Sequence, residues 1–321
     1  MELSYAKVIS LALKEAMEED DSVFCLGEDV GFGGAYGATQ GLREVFGADR
    51  VRDTPISETA IVGFSVGAAM QGMRPVAEIM HMDFVTCAMD QLVNQAAKMR
   101  YMFGGKAQVP LVVRCGVGGY LSAAGQHSQS LEAWFTHVPG LKVMAAGTPK
   151  DMRAVLRAAI RDDNPVIILE SLVLYETSGE VPEEDEGLVI GKADLKRRGD
   201  DVTVVTWGAM VPQVMEAADI LAKNDIECEV IDLLSLFPWD EELVLESLWR
   251  TNRLVVAHQA PTRGGFGAEV AATVMERGFK ELDAPVLRVG ARNTPVPFAP
   301  VLENYVLPNA GRVVDAVKSL V

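Results

Sequence analysis

The chain has 321 residues, 49% of them hydrophobic, enough to bury a large core and to form two domains rather than a disordered or fibrous protein. Its formal net charge of −16 disfavours nucleic acid and anionic membranes as partners and favours a basic protein. No uncharged apolar run is long enough to span a membrane, and no signal-peptide pattern opens the chain. The scattered Cys25, Cys87, Cys115 and Cys228 form no CxxC pair and read as reduced, buried thiols of a cytoplasmic protein.

In chain order, residues 3–17 have helical spacing, with Val8, Ile9, Leu11, Ala12 and Ala16 on one side. Residues 23–27 are a short apolar run ended by glycine, the pattern of a buried parallel strand. Glu28 and Asp29 follow at its carboxyl end, where open α/β sheets place their ligand chemistry. Gly31, Gly33, Gly34 and Gly37 then make a loop that either hugs a ligand or is merely mobile; it contains no GxGxxG.

Residues 53–84 are the centre of the pattern. Pro55 disfavours a helical conformation for the residue before it, so a helix is expected to begin just beyond. Residues 57–71 are small or apolar almost all round, as in a helix that is interior or held at a large interface. Glu58, at the mouth of that helix, is either a carboxylate complementing the helix dipole or a functional acid.

Residues 74–80 read as a strand, 90–102 as a helix ended by Gly104 and Gly105, and 109–114 as another buried strand. The glycine-rich segment 116–129 carries His127, which is either a satisfied structural histidine or a loop histidine free to serve chemistry. With a strand at 141–145, a helix at 149–160 and a strand at 166–170, the alternation argues a parallel sheet covered on both faces. The acidic run 176–187 lacks apolar periodicity and reads as an exposed linker, dividing the chain into 1–176, a connection 177–200, and 201–321. The second block alternates strands at 201–207, 226–233, 253–258 and 286–289 with helices at 209–224, 240–250 and 266–278. Lys196, Arg197 and Arg198 read as a solvated turn.

The stretches GEDVGFGGAYGATQGL, RVRDTPISETAIVGFSVGAAMQGMRPVAEI, DQLVNQAAKMRYMFGGKA and QHSQSLEAWFTHVPGLKV carry a resemblance, continued by DVTVVTWG, CEVIDLLSLFPWD and NTPVPFAP. Together, and in this order over essentially the whole chain, they resemble the beta subunit of the thiamine-diphosphate-dependent decarboxylase of 2-oxo acid dehydrogenase complexes. The resemblance implies two doubly wound α/β domains, a transketolase-like pyrimidine-binding domain followed by a smaller transketolase C-terminal domain, in an alpha2-beta2 heterotetramer. The implied activity is oxidative decarboxylation of a 2-oxo acid and acyl transfer to the lipoyl group of an acyltransferase, which the C-terminal domain helps to dock.

On the same basis Glu58 matches the carboxyl held against a ring nitrogen of the cofactor's aminopyrimidine. That role requires a shared proton, which desolvation favours and a helix N-terminus opposes. Phe84 is implied to stack on the pyrimidine with Met80 nearby, and Glu28 to be the acid near the cofactor. His127 is implied to meet the substrate or the lipoyl group. The backbone carbonyls of Leu111, Ala159, Asp162 and Asn164 match a structural monovalent cation site, potassium. No Gly-Asp-Gly segment of the kind that holds magnesium and pyrophosphate occurs in the sequence, which leaves that half of the site to an alpha subunit.

His81 departs from the family pattern and is either a residue that tunes the substrate or a tolerated change, the second being favoured by the lone-histidine argument. The motifs leave pyruvate, branched-chain 2-oxo acids and acetoin open as substrates. A catalytically inactive scaffold is the alternative of another class; against it, Glu58, Phe84 and His127 are all present.

Overall fold

The computed structural model describes all residues except 185 and 186. The strands, in chain order, are β1 (Glu2–Ser4), β2 (Val23–Gly27), β3 (Val51–Asp53), β4 (Arg74–Ile79), β5 (Val112–Val117), β6 (Lys142–Ala145), β7 (Val166–Ser171), β8 (Ser178–Glu180), β9 (Asp194–Arg197), β10 (Val202–Thr206), β11 (Cys228–Asp232), β12 (Ser235–Phe237), β13 (Leu254–Pro261) and β14 (Leu287–Ala291). The first large sheet runs β12-β6-β7-β5-β4-β2-β3 and the second β14-β13-β10-β11-β9. Neighbours are parallel except where β12 meets β6 and β9 meets β11. Strands β2, β5, β7, β10 and β11 are buried at every position, as their near-continuous apolar runs require of a sheet covered on both faces.

The expected elements appear with ends shifted by a few residues, and four features differ in kind. The acidic run is not a free linker where it starts. β8 pairs antiparallel with β1, and Val181 is fully buried; residues 185 and 186 of that run lie outside the described residues. The basic cluster is not a solvated turn either. Lys196 sits on β9 with its ammonium 2.6 Å from Asp151 and 2.7 Å from Asp194, facing the fully buried Asp232 at 3.9 Å. The helix expected at 90–102 opens as a π-helical stretch, Gln91–Ala96, packed against Gly63, and becomes α-helical only over Ala97–Met102. Cys87 is exposed, whereas Cys25, Cys115 and Cys228 are buried thiols.

The sequence pattern did not anticipate β12, nor the helices Pro300–Val306 and Ala310–Lys318. Both helices carry readable start signals, Pro300 in the first turn and Asn309, whose side chain accepts from the Arg312 N–H at 3.0 Å. β12 carries none: it leaves the second sheet directly after β11 and closes the edge of the first. One apolar core therefore runs from Phe24 and Val62 through Leu236 to Trp207 and Val256, across both sheets.

The helix Glu58–Met70 buries Ile61, Val62, Ser65, Val66 and Ala69, a stripe at helical spacing, against β4 and the π-helical segment. Its other face is uncovered in the single chain, with Phe64 at 54% exposure. Beneath the sheet's carboxyl ends, Arg114 of β5 is 1% exposed. Its guanidinium donates to both oxygens of Glu170 on β7, at 2.7 and 2.9 Å, and to Glu78 on β4 at 2.7 Å. Tyr175 donates to Glu170 at 2.6 Å. Burial disfavours the Arg114 charge, but Glu170 and Glu78 outweigh it and hold the pKa well above the usual arginine value; burial raises that of Glu78.

Removing the guanidinium strands two carboxylates inside the sheet. Arg114→Met is expected to cost about 3–5 kcal/mol in urea denaturation, the range found when one partner of a buried ion pair is deleted. Unchanged stability would show that the ladder hydrogen bonds alone hold these strands together.

Candidate active site

Four adjacent parallel strands, β3, β2, β4 and β5, deliver the candidate residues at their carboxyl ends. Glu28 follows β2 directly. Glu58 opens the helix five residues after β3, Met80, His81 and Phe84 follow β4, and His127 lies on the loop after β5. This is the edge at which doubly wound sheets bind their ligands, because the strand ends and the helix starts there leave backbone donors and loop side chains free.

Glu28, Glu58, Met80, Phe84 and His127 are all half-buried. Glu58 occupies the first helical position after Ser57, whose side chain makes no capping hydrogen bond. Neither the Glu28 nor the Glu58 side chain has a hydrogen-bonding or ion-pair partner among the described residues. Burial, followed by the Glu58, Asp29 and Glu78 carboxylates, pushes the Glu28 pKa up. Two uncompensated carboxyls close enough to repel one another fit a heterocycle that carries ring nitrogens and an amine, with which they can share protons. Phe84 and His127 meet edge to face at 5.3 Å, an aromatic wall at the same edge of the sheet.

The structure adds two residues to this wall. His81 is 7% exposed; its ring lies 4.8 Å from that of His127 and 6.2 Å from that of Phe84. Its Nε2 shares a hydrogen bond of 3.0 Å with the Tyr36 hydroxyl of the glycine-rich loop, and its Nδ1 is buried without a partner among the described residues. His81 is thus part of the cluster. The readable signal was its place three residues before Phe84, which a lone-histidine argument discounts.

The carbonyls of Leu111, Ala159, Asp162 and Asn164 are not part of this cluster: they lie before β5 and β7, at the opposite, amino-terminal edge of the sheet. There the Leu111 carbonyl accepts from the Val166 N–H at 2.9 Å, and that of Asp162 accepts from Arg74 at 3.1 Å. Lys142 pairs with the Asp162 carboxylate, so side-chain cations already supply positive charge at that turn. Among the described residues no group of three His, Cys, Asp or Glu side chains is arranged to hold a metal ion, and no helix is long and apolar enough to cross a membrane.

Residues 1–178 match the transketolase pyrimidine-binding domain and residues 191–313 the transketolase C-terminal domain. The acetoin:2,6-dichlorophenolindophenol oxidoreductase beta subunit of Bacillus subtilis is 44% identical over 331 residues, covering 99% of this chain and 97% of that protein. The chain belongs to the beta-subunit family of 2-oxo acid and acetoin dehydrogenases. The 2-oxoisovalerate dehydrogenase beta subunit of Bacillus subtilis is likewise 44% identical, covering 99% of this chain and 98% of the relative. The pyruvate dehydrogenase E1 component beta subunit of Rickettsia felis is 44% identical over 321 residues, covering 100% and 98%. A solved chain described as a split-gene transketolase in an inactive beta4 tetramer superposes with a TM-score of 0.84 at 24% identity, over 99% of this chain and 98% of that one, which establishes the fold. Membership in this family with a pyrimidine-binding domain implies thiamine diphosphate as cofactor, and the name beta subunit implies an alpha partner.

Burial, and after it the neighbouring His127, lower the pKa of His81, against the opposing charge of Asp83. Its imidazole is therefore expected to titrate below the ordinary histidine value of about 6.5 when followed by ring-proton NMR. A midpoint at or above that value would show that the ring is more solvated than its place in the cluster allows.

Proposed function

We propose that this chain is the pyrimidine-binding half of a thiamine-diphosphate-dependent dehydrogenase that decarboxylates a 2-oxo acid and passes the acyl group to a lipoyl-bearing acyltransferase. The observation that carries the reading is the convergence of Glu58, Phe84 and His127 at the carboxyl ends of neighbouring strands, in a pyrimidine-binding domain whose sequence lacks Gly-Asp-Gly. Bound there, thiamine diphosphate supplies the carbon nucleophile that adds to the substrate carbonyl. Glu58 holds a proton at the pyrimidine ring nitrogen, Phe84 lies against the ring face, and Glu28 keeps the local charge negative enough for that proton to stay shared. His127 moves a proton at the substrate or lipoyl side, and neutral His81 packs behind it. This intact set weighs against the inactive-scaffold reading.

Magnesium and the pyrophosphate belong, in this reading, to the alpha subunit of an alpha2-beta2 assembly, with the cofactor across the interface. The open face of the Glu58–Met70 helix supports a large contact there, as does exposed Ile56 beside it at 82%. The acidic balance of the chain suits a basic segment of the acyltransferase core, met through the C-terminal domain. Four unpaired cysteines favour a reducing compartment, the cytoplasm.

Acetoin cleavage is the second reading. The Tyr36–His81 hydrogen bond favours it, because it sets a polar pair beside His127 where a branched aliphatic acyl chain would need an apolar wall. Turnover of pyruvate, a branched-chain 2-oxo acid and acetoin by the alpha-beta complex, measured side by side, decides between the two.

Glu58→Gln keeps the size of the side chain and removes its acidic proton. In the assembled enzyme it is expected to retain thiamine diphosphate and to slow proton exchange at the cofactor's reactive carbon by roughly a hundredfold, in the range usual for one acid-base group. Near-normal exchange would remove Glu58 from its role. The split site has its own test in calorimetry of the beta chain alone with magnesium and thiamine diphosphate. Weak or no binding, restored with activity when alpha is added, is the expected result; tight binding and turnover by beta alone would refute the division.

A further inference from the structure

The loop that carries His127 is closed at its base by the Gly118 N–H, which donates to the Gln129 carbonyl at 3.2 Å. Within it Tyr120, Ser122 and Ala124 have φ of 72°, 54° and 63°, three non-glycine residues in the left-handed region at alternate positions. Side chains disfavour that region, so something must hold the loop in it. Left-handed residues interleaved in this way turn successive N–H groups to one side and make a concave anion site.

A side chain of the second half of the chain supplies the anion. Glu303, from the helix Pro300–Val306 of the second half of the chain, is 2% exposed. Its Oε1 accepts from the Tyr120 N–H at 2.8 Å, and its Oε2 from the Ser122 N–H at 2.9 Å and the Ser122 hydroxyl at 3.3 Å. The Tyr120 hydroxyl also donates to the Pro308 carbonyl, and Gln259 is pressed so close to Gly118 that a Cβ there has no room. Beyond this clamp, the His127 N–H reaches back to the Ala124 carbonyl at 3.5 Å, and the His127 ring meets His81 and Phe84.

We propose that Glu303 is a positioning residue: its carboxylate is the counter-ion that keeps the loop in its strained form, so the second half of the chain sets where the His127 imidazole stands. The inference rests on the reading of His127 as a group of the reaction. Without the carboxylate, two buried N–H groups lose their acceptor and the left-handed residues relax toward ordinary backbone, carrying the histidine away from Phe84.

The test uses the complex assembled with its alpha subunit, magnesium and thiamine diphosphate. It compares wild type, Glu303→Gln, His127→Ala and the double variant. Gln keeps the side-chain size but puts an amide donor against a backbone donor. Turnover in Glu303→Gln is expected to fall roughly tenfold while half-saturation by thiamine diphosphate stays within about twofold, and the double variant is expected to be no slower than His127→Ala. Losses that multiply in the double variant, or unchanged turnover in Glu303→Gln, would overturn the proposal.

Hydrogen exchange reads the clamp without activity: the Tyr120 and Ser122 amides are expected to exchange at least about tenfold faster in Glu303→Gln, and unchanged exchange would overturn it. A wild-type complex inactive on every 2-oxo acid and on acetoin would refute the functional reading, and the exchange result would then decide the clamp by itself.

Discussion

A buried guanidinium holds the site's foundation. Arg114 ties β4, β5 and β7 together through Glu78 and Glu170, directly below the strand ends that carry Met80, His81, Phe84 and the His127 loop. Two carboxylates and one cation in that place leave net negative charge inside the sheet, and burial then raises the pKa of Glu78. The glycine-rich loop rests on the same group, since Gly34 packs near the outer oxygen of Glu78. The ion cluster thus joins the packing of the sheet to the geometry of the loop that offers Tyr36 to His81. Such a cluster is a poor source of net stability compared with apolar packing, but it penalises any strand slip that would unpair a charge.

The two halves of the molecule are not independent beads. β12 leaves the second sheet to complete the first, Lys196 binds Asp151 of one half and faces Asp232 of the other, and Glu303 holds the backbone of the His127 loop. Each contact joins a charged or backbone group of one half to a partner in the other. The candidate site is therefore a product of both halves, although all the residues expected there come from the first. Its outer face is open, as the exposed Ile56 and Phe64 show, which is the form expected of a half-site that a second subunit covers.

Much of this was legible in the chain itself. The alternation of short apolar runs with helical periods determined the order of elements; the carboxyl end of the first predicted strand marked Glu28, the mouth of the apolar helix marked Glu58 and the glycine-rich loop offered His127, while Phe84 entered only through the family resemblance. The all-apolar period after Glu58 left two places open for this helix, the interior or a large interface.

Tertiary structure alone decided the rest. That the acidic run begins as a strand paired with the amino terminus, that β12 crosses between sheets, that His81 joins the site through Tyr36 and that Glu303 reaches the loop at Tyr120 and Ser122 are all long-range facts. Local propensity and periodicity describe a residue and its near neighbours in the chain. Pairings across 45 residues, as between Tyr36 and His81, or 183, as between Tyr120 and Glu303, are chosen by burial and hydrogen-bond satisfaction once the sheets have formed, and leave no periodic trace in the sequence.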